Sequence, residues 1–181
     1  MFKKLHVNEL GRLSIEEFKQ SPKIPVVIVL DDIRSRHNIG AAFRTADAFA
    51  VESIVLCGIC ATPPNNEIHK SALGAEETVK WTYESEILKA IINLKEKGYT
   101  IICAEQTENS TLLQNLTIEH DKKYAVVFGN EVKGIRQEVL DICDVAVEIP
   151  QFGTKHSLNV SVSIGIIIWE MISQGFIKSL F

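Results

Sequence analysis

The sequence predicts a mainly parallel α/β sheet with helices on both faces. Short apolar runs recur along the chain, and helix-like stretches lie between them. The runs are continuously apolar rather than alternating, which is typical of strands covered on both faces. Strands and helices in alternation favour a parallel sheet between two helical layers.

The predicted strands are short runs rich in β-branched residues, and the predicted helices follow or separate them. The strands are Pro25–Leu30, Ser53–Cys57, Tyr99–Ala104, Tyr124–Phe128 and Val145–Ile149. The helices are Ile39–Phe49, Ser85–Lys97, Ile135–Ile142 and Leu158–Ser173. Residues 1–24 are predicted to form an N-terminal appendage, in which Ser14 and Glu17 have the spacing of a helix capping box. Residues 25–181 are predicted to form one domain.

Composition limits the classes of protein to which the chain could belong. With 46% hydrophobic and 23% charged residues, it is neither disordered nor collagen-like. The net charge of −4 argues against indiscriminate nucleic-acid binding, although it allows a local basic site. The longest weakly polar run has 12 residues, whereas a membrane span needs about 20. Four cysteines without a recognisable export signal predict reduced thiols and a cytoplasmic location.

Polar residues that follow the strands are the candidate site, because parallel α/β sheets bind ligands beyond the carboxyl ends of their strands. The first strand is followed by Asn38 and by three of the five arginines of the chain, Arg34, Arg36 and Arg44. The planar guanidinium is suited to grip phosphate oxygens, so this concentration of arginine indicates a phosphate-binding role. The simpler alternative is a solvated loop in which Asn38 caps the next helix.

The fourth strand is followed by a glycine-containing turn. Gly129 and Gly134 have half the spacing of a phosphate-binding loop, but Ile135 and Arg136 replace the required Lys-Ser/Thr pair. The sequence therefore excludes a P-loop nucleoside triphosphatase. Glu131 lies between the two glycines, and the alternative is a plain strand-to-helix turn in which Gly129 permits a close backbone approach.

The fifth strand is followed by a cluster of polar residues that opens an otherwise apolar helix, Ser157, Asn159, Ser161 and Ser163. Asparagine is unfavourable within a first helical turn, which suggests that the Asn159 side chain has another use. Ser157 is equally a candidate N-cap. It lacks a Gly-x-Ser-x-Gly elbow, so a serine hydrolase is not predicted.

Cys57 and Cys60 form a lone C-x-x-C pair, with no second pair and no histidine pair to complete a zinc set. No metal site is therefore predicted. The chain also has no Gly-x-Gly-x-x-Gly sequence after a strand, which argues against a dinucleotide-binding Rossmann domain.

Three segments together resemble the SpoU (TrmH-like) branch of the SPOUT RNA 2′-O-ribose methyltransferases. They are Asn38-Ile-Gly-Ala-Ala-Phe-Arg44, Phe128-Gly-Asn-Glu131 with Gly134, and Ile149-Pro-x-x-Gly153 with Ser157-Leu-Asn-Val-Ser-Val-Ser163. Their order and separation also match the family, and the similarity covers residues 26–173. The resemblance implies a SPOUT-type fold with a C-terminal deep trefoil knot, and a homodimer.

The same resemblance implies S-adenosylmethionine-dependent methylation of a ribose 2′-hydroxyl in RNA, with tRNA expected rather than rRNA. The positions matching the family's activity-bearing residues are Arg44, Asn38, Glu131, Ser157 and Asn159. Those matching its cofactor pocket are Thr107, Gly129, Ile149 and Leu158. RNA contacts are expected from Arg34, Arg36, Lys133, Arg136 and Lys155.

Arg44 is expected to grip a phosphate and position the ribose, because a guanidinium with a pKa above about 12 is a poor base. That phosphate or a water would then take the proton from the hydroxyl. Two alternatives remain. One is a catalytically silent RNA-binding module of the same fold, against which the complete set of activity-bearing residues argues. The other is an unrelated doubly wound domain that binds a flavin or nucleotide, which the missing phosphate-loop residues disfavour.

Overall fold

A single sheet of parallel strands organises the chain, of which the computed structural model describes residues 2–6 and 9–176. The strands are β1 Ile24–Asp31, β2 Val51–Cys57, β3 Trp81–Glu84, β4 Tyr99–Ala104, β5 Thr111–Leu112, β6 Lys123–Phe128 and β7 Val145–Glu148. Their order across the sheet is β3-β2-β1-β6-β4-β7-β5, and each neighbouring pair is parallel. The predicted parallel sheet is confirmed.

Helices cover both faces of this sheet. They are α1 Ile15–Gln20, α2 Arg36–Ala48, α3 Asn66–Ala72, α4 Ala75–Thr78, α5 Ile87–Glu96, α6 Gln137–Leu140 and α7 Val160–Met171, which continues as a π-helix over Ile172–Phe176. Alternate residues of β1 enter two separate cores: Ile28 and Leu30 lie in the core with α2, α3 and α7, whereas Val29 lies in the core with α5 and α6. This two-sided burial explains the continuous apolar runs.

Helix α2 is held close to α3 by a glycine at their crossing. A Cβ atom on Gly40 would lie 2.0 Å from Ser71 Oγ and 2.4 Å from the Ile68 carbonyl oxygen. Only glycine permits this approach. Because α2 begins directly after β1, the crossing fixes the position of the residues in its first turn.

Two strands and two helices were not predicted. β3 is a short edge strand whose side chains are half or fully exposed, and β5 has only two residues. Neither forms a continuous apolar run. α3 and α4 are short and mainly polar. The predicted capping box of α1 is confirmed, since Glu17 N donates to Ser14 Oγ and Ser14 N donates to Glu17 Oε2.

The predicted division at residue 24 stays a prediction, and parts of both predicted units, namely residues 1, 7, 8 and 177–181, lie outside the described residues. Within the described part of the chain, every helix is too short or too polar to cross a lipid bilayer.

Candidate active site

The candidate site lies where three segments distant in sequence meet at the carboxyl edge of the sheet. They are the first turn of α2 after β1, the turn 129–134 after β6, and residues 149–159 between β7 and α7. Asn159 Nδ2 donates to Asn38 Oδ1 at 3.2 Å. Asn38 Nδ2 donates in turn to Glu131 Oε1 at 3.1 Å. Three of the five predicted activity-bearing residues thus form one hydrogen-bonded chain.

The carboxylate of Glu131 is fixed at the N-terminus of α2. Its two oxygens accept hydrogen bonds from the backbone N–H groups of Arg34 at 3.2 Å and Ser35 at 3.3 Å. Burial favours a higher pKa for Glu131, but hydrogen bonds from its own backbone N–H, from Arg34, from Asn38 and from Ser35 outweigh it and lower the pKa. The carboxylate is therefore charged at neutral pH, and the helix dipole favours that charge.

The N-cap residues of α2 and α7 are not those expected from the sequence. Ser35, rather than Asn38, caps α2, because its side chain accepts from Asn38 N at 3.2 Å. Asn159, rather than Ser157, caps α7: its Oδ1 accepts from Ser161 N at 2.8 Å and from Ser161 Oγ at 2.6 Å. The predictions that Asn38 caps α2 and that Ser157 caps α7 were wrong, since Ser35 and Asn159 accept the hydrogen bonds from the first helical turns.

One side chain therefore serves both local and long-range structure. Asn159 uses its oxygen to start α7 and its amide nitrogen to bind Asn38. Asparagine was expected to be unfavourable inside the first turn, but Asn159 is the N-cap of α7, a position that favours asparagine.

A cavity of about 710 Å³ opens beside this chain, beyond the carboxyl ends of β4, β6 and β7. Of the predicted cofactor residues, Gly129, Ile149 and Leu158 line it, as do Ser157, Asn159 and Glu131. From the loop after β4, Glu105 and Gln106 line the described cavity rather than Thr107, whose carbonyl oxygen accepts hydrogen bonds from Ser110. Apolar side chains complete the wall: Phe128, Ile135, Leu140, Val147 and Ile167.

Glu105 holds the turn that borders this cavity, although the sequence analysis did not single it out. Its Oε2 accepts from Ile135 N at 2.8 Å and its Oε1 accepts from Gln106 N at 3.0 Å. The turn returns so closely that a Cβ on Gly129 would lie 2.4 Å from the backbone of both Gly134 and Ile135. Glu105 directly follows a predicted strand, so the rule that selected the other candidates could have found it.

Arg44 lies apart from the hydrogen-bonded chain. It is six residues after Asn38 on α2, so its position is about 9 Å further along the helix axis and about a third of a turn away around it. The side chain is exposed and makes no hydrogen bond or ion pair with any residue in the described ranges. Its guanidinium is therefore available to a ligand.

The five basic residues predicted to contact RNA fall into two groups. Arg34, Lys133 and Lys155 are exposed. Arg36 and Arg136 instead form ion pairs within the protein. Arg36 Nη1 lies 3.1 Å from Glu67 Oε2. Arg136 makes a bidentate pair with the buried Asp31, with Nε–Oδ2 and Nη2–Oδ1 distances of 3.2 and 2.7 Å.

The C-x-x-C pair lies away from this chemistry. Burial raises the pKa of the Cys60 thiol to about 11 and raises the pKa of Cys57 further. Cys60 also accepts a hydrogen bond from Ile33 N and donates one to the Leu30 carbonyl oxygen. A protonated, buried thiol is a poor nucleophile, so the two cysteines act as core residues.

Comparison with known proteins identifies the family. The sequence model of the SpoU rRNA Methylase family matches residues 25–169. This chain belongs to that family. A 23S rRNA (guanosine-2′-O-)-methyltransferase of Neisseria meningitidis is 36% identical over 156 residues, which are 86% of this chain and 61% of the relative. The chain thus spans about three fifths of the length of this curated relative.

Solved structures of SpoU relatives share the fold. The A. aeolicus TrmH/SpoU tRNA modifying enzyme superposes with a TM-score of 0.78 at 24% identity, covering 88% of this chain and 80% of the enzyme. An AdoMet-bound rRNA methyltransferase from Sinorhizobium meliloti gives a TM-score of 0.77 at 23% identity, over 90% of this chain and 61% of that one. The SpoU resemblance is confirmed, and the segments that carried it are those that meet at the candidate site.

Proposed function

We propose that this SpoU protein is an S-adenosylmethionine-dependent methyltransferase that modifies a ribose 2′-hydroxyl of RNA. The observation that carries the proposal is the hydrogen-bonded chain Glu131–Asn38–Asn159 at the rim of a cavity of about 710 Å³. The name of the Neisseria relative, a guanosine-2′-O-methyltransferase, supports the same reaction.

The cavity fits the cofactor in size and chemistry. Small-molecule sites typically enclose about 300–1,000 Å³ and combine apolar walls with a few polar groups. Here Ile149 and Leu158 offer apolar contacts for an adenine, and Gln106 and Ser157 offer polar ones. Gly129 keeps the wall free of a side chain at the end of β6. When bound, the cofactor supplies an activated methyl group on a sulfonium.

The residues of the chain then orient the acceptor. The exposed Arg44 guanidinium binds the phosphate next to the target ribose, since it has no partner within the described part of the chain and is suited to phosphate oxygens. The phosphate or a water accepts the hydroxyl proton, since a guanidinium is a poor base. Asn38, Asn159 and the charged Glu131 hold α2 and α7 together beside the cavity, and exposed Ser157 faces the same space.

RNA is held by the exposed basic residues that border the site, Arg34, Lys133 and Lys155. Because these contacts are electrostatic and the net charge of the chain is −4, RNA binding should be modest in affinity and should weaken as the salt concentration rises. The 23S rRNA relative gives no support to the earlier preference for tRNA. The proposed substrate is therefore a structured RNA, and rRNA and tRNA are tested together.

A homodimer is part of the proposal. Val162, Ile166 and Trp169 form an apolar stripe along α7, spaced by three or four residues, and their exposed fractions are 49%, 37% and 52%. An exposed apolar stripe of this length marks a protein contact. A second copy packing on α7 would cover it.

The proposal also includes a C-terminal trefoil knot. After β7, residues 149–159 pass beside the turn 129–134 and the start of α2, to which Asn159 is hydrogen-bonded. α7 then packs in the helical layer opposite to that of α6.

The proposed location is the cytoplasm, in keeping with four free cysteines, three of them buried.

The test is methyl transfer from labelled S-adenosylmethionine to rRNA and to tRNA that lack modification. Label in alkali-resistant dinucleotides is the expected result, because 2′-O-methylation blocks cleavage of the adjacent phosphodiester. Arg44→Lys should bind the cofactor normally but lose most of its turnover, since an ammonium lacks the planar fork. Full turnover of Arg44→Lys would contradict the bidentate grip. Cofactor binding with no transfer to any RNA would instead favour the silent RNA-binding module.

A further inference from the structure

We propose that this protein binds one divalent transition-metal ion, of which Zn²⁺ is the best match, in a surface cavity between α3 and α4. The ligands are His69 of α3 and Glu76 and Glu77 of α4. This cavity, here called the α3–α4 pocket, has a volume of about 300 Å³ and includes all three residues and Trp81 in its lining. The sequence had suggested no metal site.

The three potential donors already converge. One ligand atom from each residue lies within 4.8 Å of the other two. His69 Nδ1 and Glu76 Oε1 are 2.5 Å apart. Ligand atoms around a tetrahedral zinc lie roughly 3.3 Å apart, given bonds of about 2.0–2.1 Å. Rotation of the exposed His69 and Glu77 side chains would therefore complete the set without moving the backbone.

A buried oxygen of Glu76 is the second observation that points to a ligand. The side chain of Glu76 is only 8% exposed. Its Oε2 is buried and has no hydrogen-bond partner among the described residues. Buried polar atoms are nearly always satisfied, and a carboxyl oxygen left without a partner is costly. A metal ion in the pocket would supply the missing partner.

The residues that line the pocket favour a cation over an anion, and a transition metal over magnesium or calcium. The pocket is lined by two carboxylates and by no lysine or arginine of the described chain, so it would repel phosphate and RNA. Magnesium and calcium prefer sites made only of oxygen, whereas an imidazole nitrogen beside carboxylates suits zinc. Three protein ligands leave one zinc position for water.

The site joins two helices across a short turn, which the hydrogen bond between His69 and Glu76 already spans. α3 ends at Leu73 in a left-handed conformation, and Gly74 follows with φ +90°. A metal between His69 and α4 would hold the two short helices together. Because α3 packs against α2 at Gly40, the ion would stabilise the layer that carries the candidate active site. The expected role is structural, so thermal stability should rise with metal.

The test is calorimetric titration of the full chain, stripped with a chelator, with zinc sulfate. Wild type should bind one equivalent, and the melting temperature should rise on addition. Glu76→Gln and Glu77→Gln should each weaken binding at least tenfold. Glu77 is exposed, so its variant should fold normally. Glu96→Gln, an exposed position at the end of α5, is the matched control and should bind as wild type does.

Cobalt distinguishes this site from the cysteines. Co²⁺ bound by one nitrogen and oxygens should show ligand-field bands without the near-ultraviolet absorption of a thiolate complex. The proposal is overturned if zinc does not bind, if the glutamine variants bind as tightly as the control, or if the thiolate band appears at one equivalent. None of these readouts uses methyl transfer, so they are independent of the proposed function.

Discussion

Gly129→Ala is expected to damage both the stability and the cofactor site of this protein through one backbone contact. Gly129 follows β6 and lines the cavity. The added Cβ would lie 2.4 Å from the carbonyl carbon of Gly134, 2.4 Å from Ile135 N and 2.5 Å from the carbonyl oxygen of Gly134. Because all three neighbours are backbone atoms, no side-chain rotation can relieve the overlap.

The magnitude follows from how far the turn must move. Non-bonded carbon atoms pack at about 3.5–4.0 Å, so the 134–135 backbone must shift by roughly 1 Å. That backbone is anchored by the hydrogen bond from Ile135 N to Glu105 Oε2, and Gly134 already has φ +67°. Inserting a methyl group where the surroundings cannot yield costs about 1–3 kcal/mol, and the upper part of this range is expected here.

The assay is urea unfolding combined with calorimetric binding of S-adenosylmethionine. Gly153→Ala is the matched control: it adds the same methyl group in the same region, and nothing lies within 4 Å of the added atom. The control should change the free energy of unfolding by no more than about 0.5 kcal/mol. If Gly129→Ala unfolds and binds cofactor as the control does, the close contact does not limit this site and the reasoning is refuted.

Three further predictions concern the charged and capping residues. Arg136→Met should lower the free energy of unfolding by about 3 kcal/mol in urea, because it leaves Asp31, which is 1% exposed, without its partner; a loss below about 1 kcal/mol would contradict this. Asn159→Ala should lower the free energy of unfolding by about 1 kcal/mol, because α7 loses its cap. Asn159→Ser should restore stability but not methyl transfer, since serine caps a helix but its hydroxyl is too short to reach Asn38. Equal methyl transfer by Asn159→Ser and wild type would argue against the Asn159–Asn38 bond. Glu131 has a lowered pKa in the folded protein, so the stability it contributes is complete above its ordinary pKa of about 4.3 and is lost as the pH falls through the lowered value. The difference in unfolding free energy between wild type and Glu131→Gln should therefore shrink on acidification. A difference that stays constant with pH would refute this prediction.

The fold was predictable from the sequence wherever burial is two-sided. β1 and β6 lie in the middle of the sheet and are covered on both faces, so their residues are continuously apolar and the strands are evident. β3 lies at the edge with its side chains partly exposed, and β5 pairs through two residues only. Such strands form because a neighbour offers hydrogen-bonding groups, which leaves little trace in local composition.

The candidate site was predictable as a set of segments but not as a set of contacts. The rule that ligands bind at strand ends selected Asn38, Glu131 and Asn159, and the structure joins them. Local propensity placed the cap of α1 correctly but assigned the caps of α2 and α7 to the wrong residues, since capping depends on the angle at which the chain enters the helix. Glu105 directly follows a predicted strand and was within reach of the same rule, but its contact with the backbone of Ile135 is visible only in the structure.

By itself, the sequence determined the parallel sheet, the position of the candidate site at its carboxyl edge and membership of the SpoU family, because these depend on apolar runs and on short motifs in a fixed order. Only the tertiary structure decided which arginines are exposed and which are paired with carboxylates, where a glycine is obligatory, and that His69 and Glu76 meet. These properties depend on distances of 2–4 Å between residues on separate elements, and such distances are fixed when the layers pack.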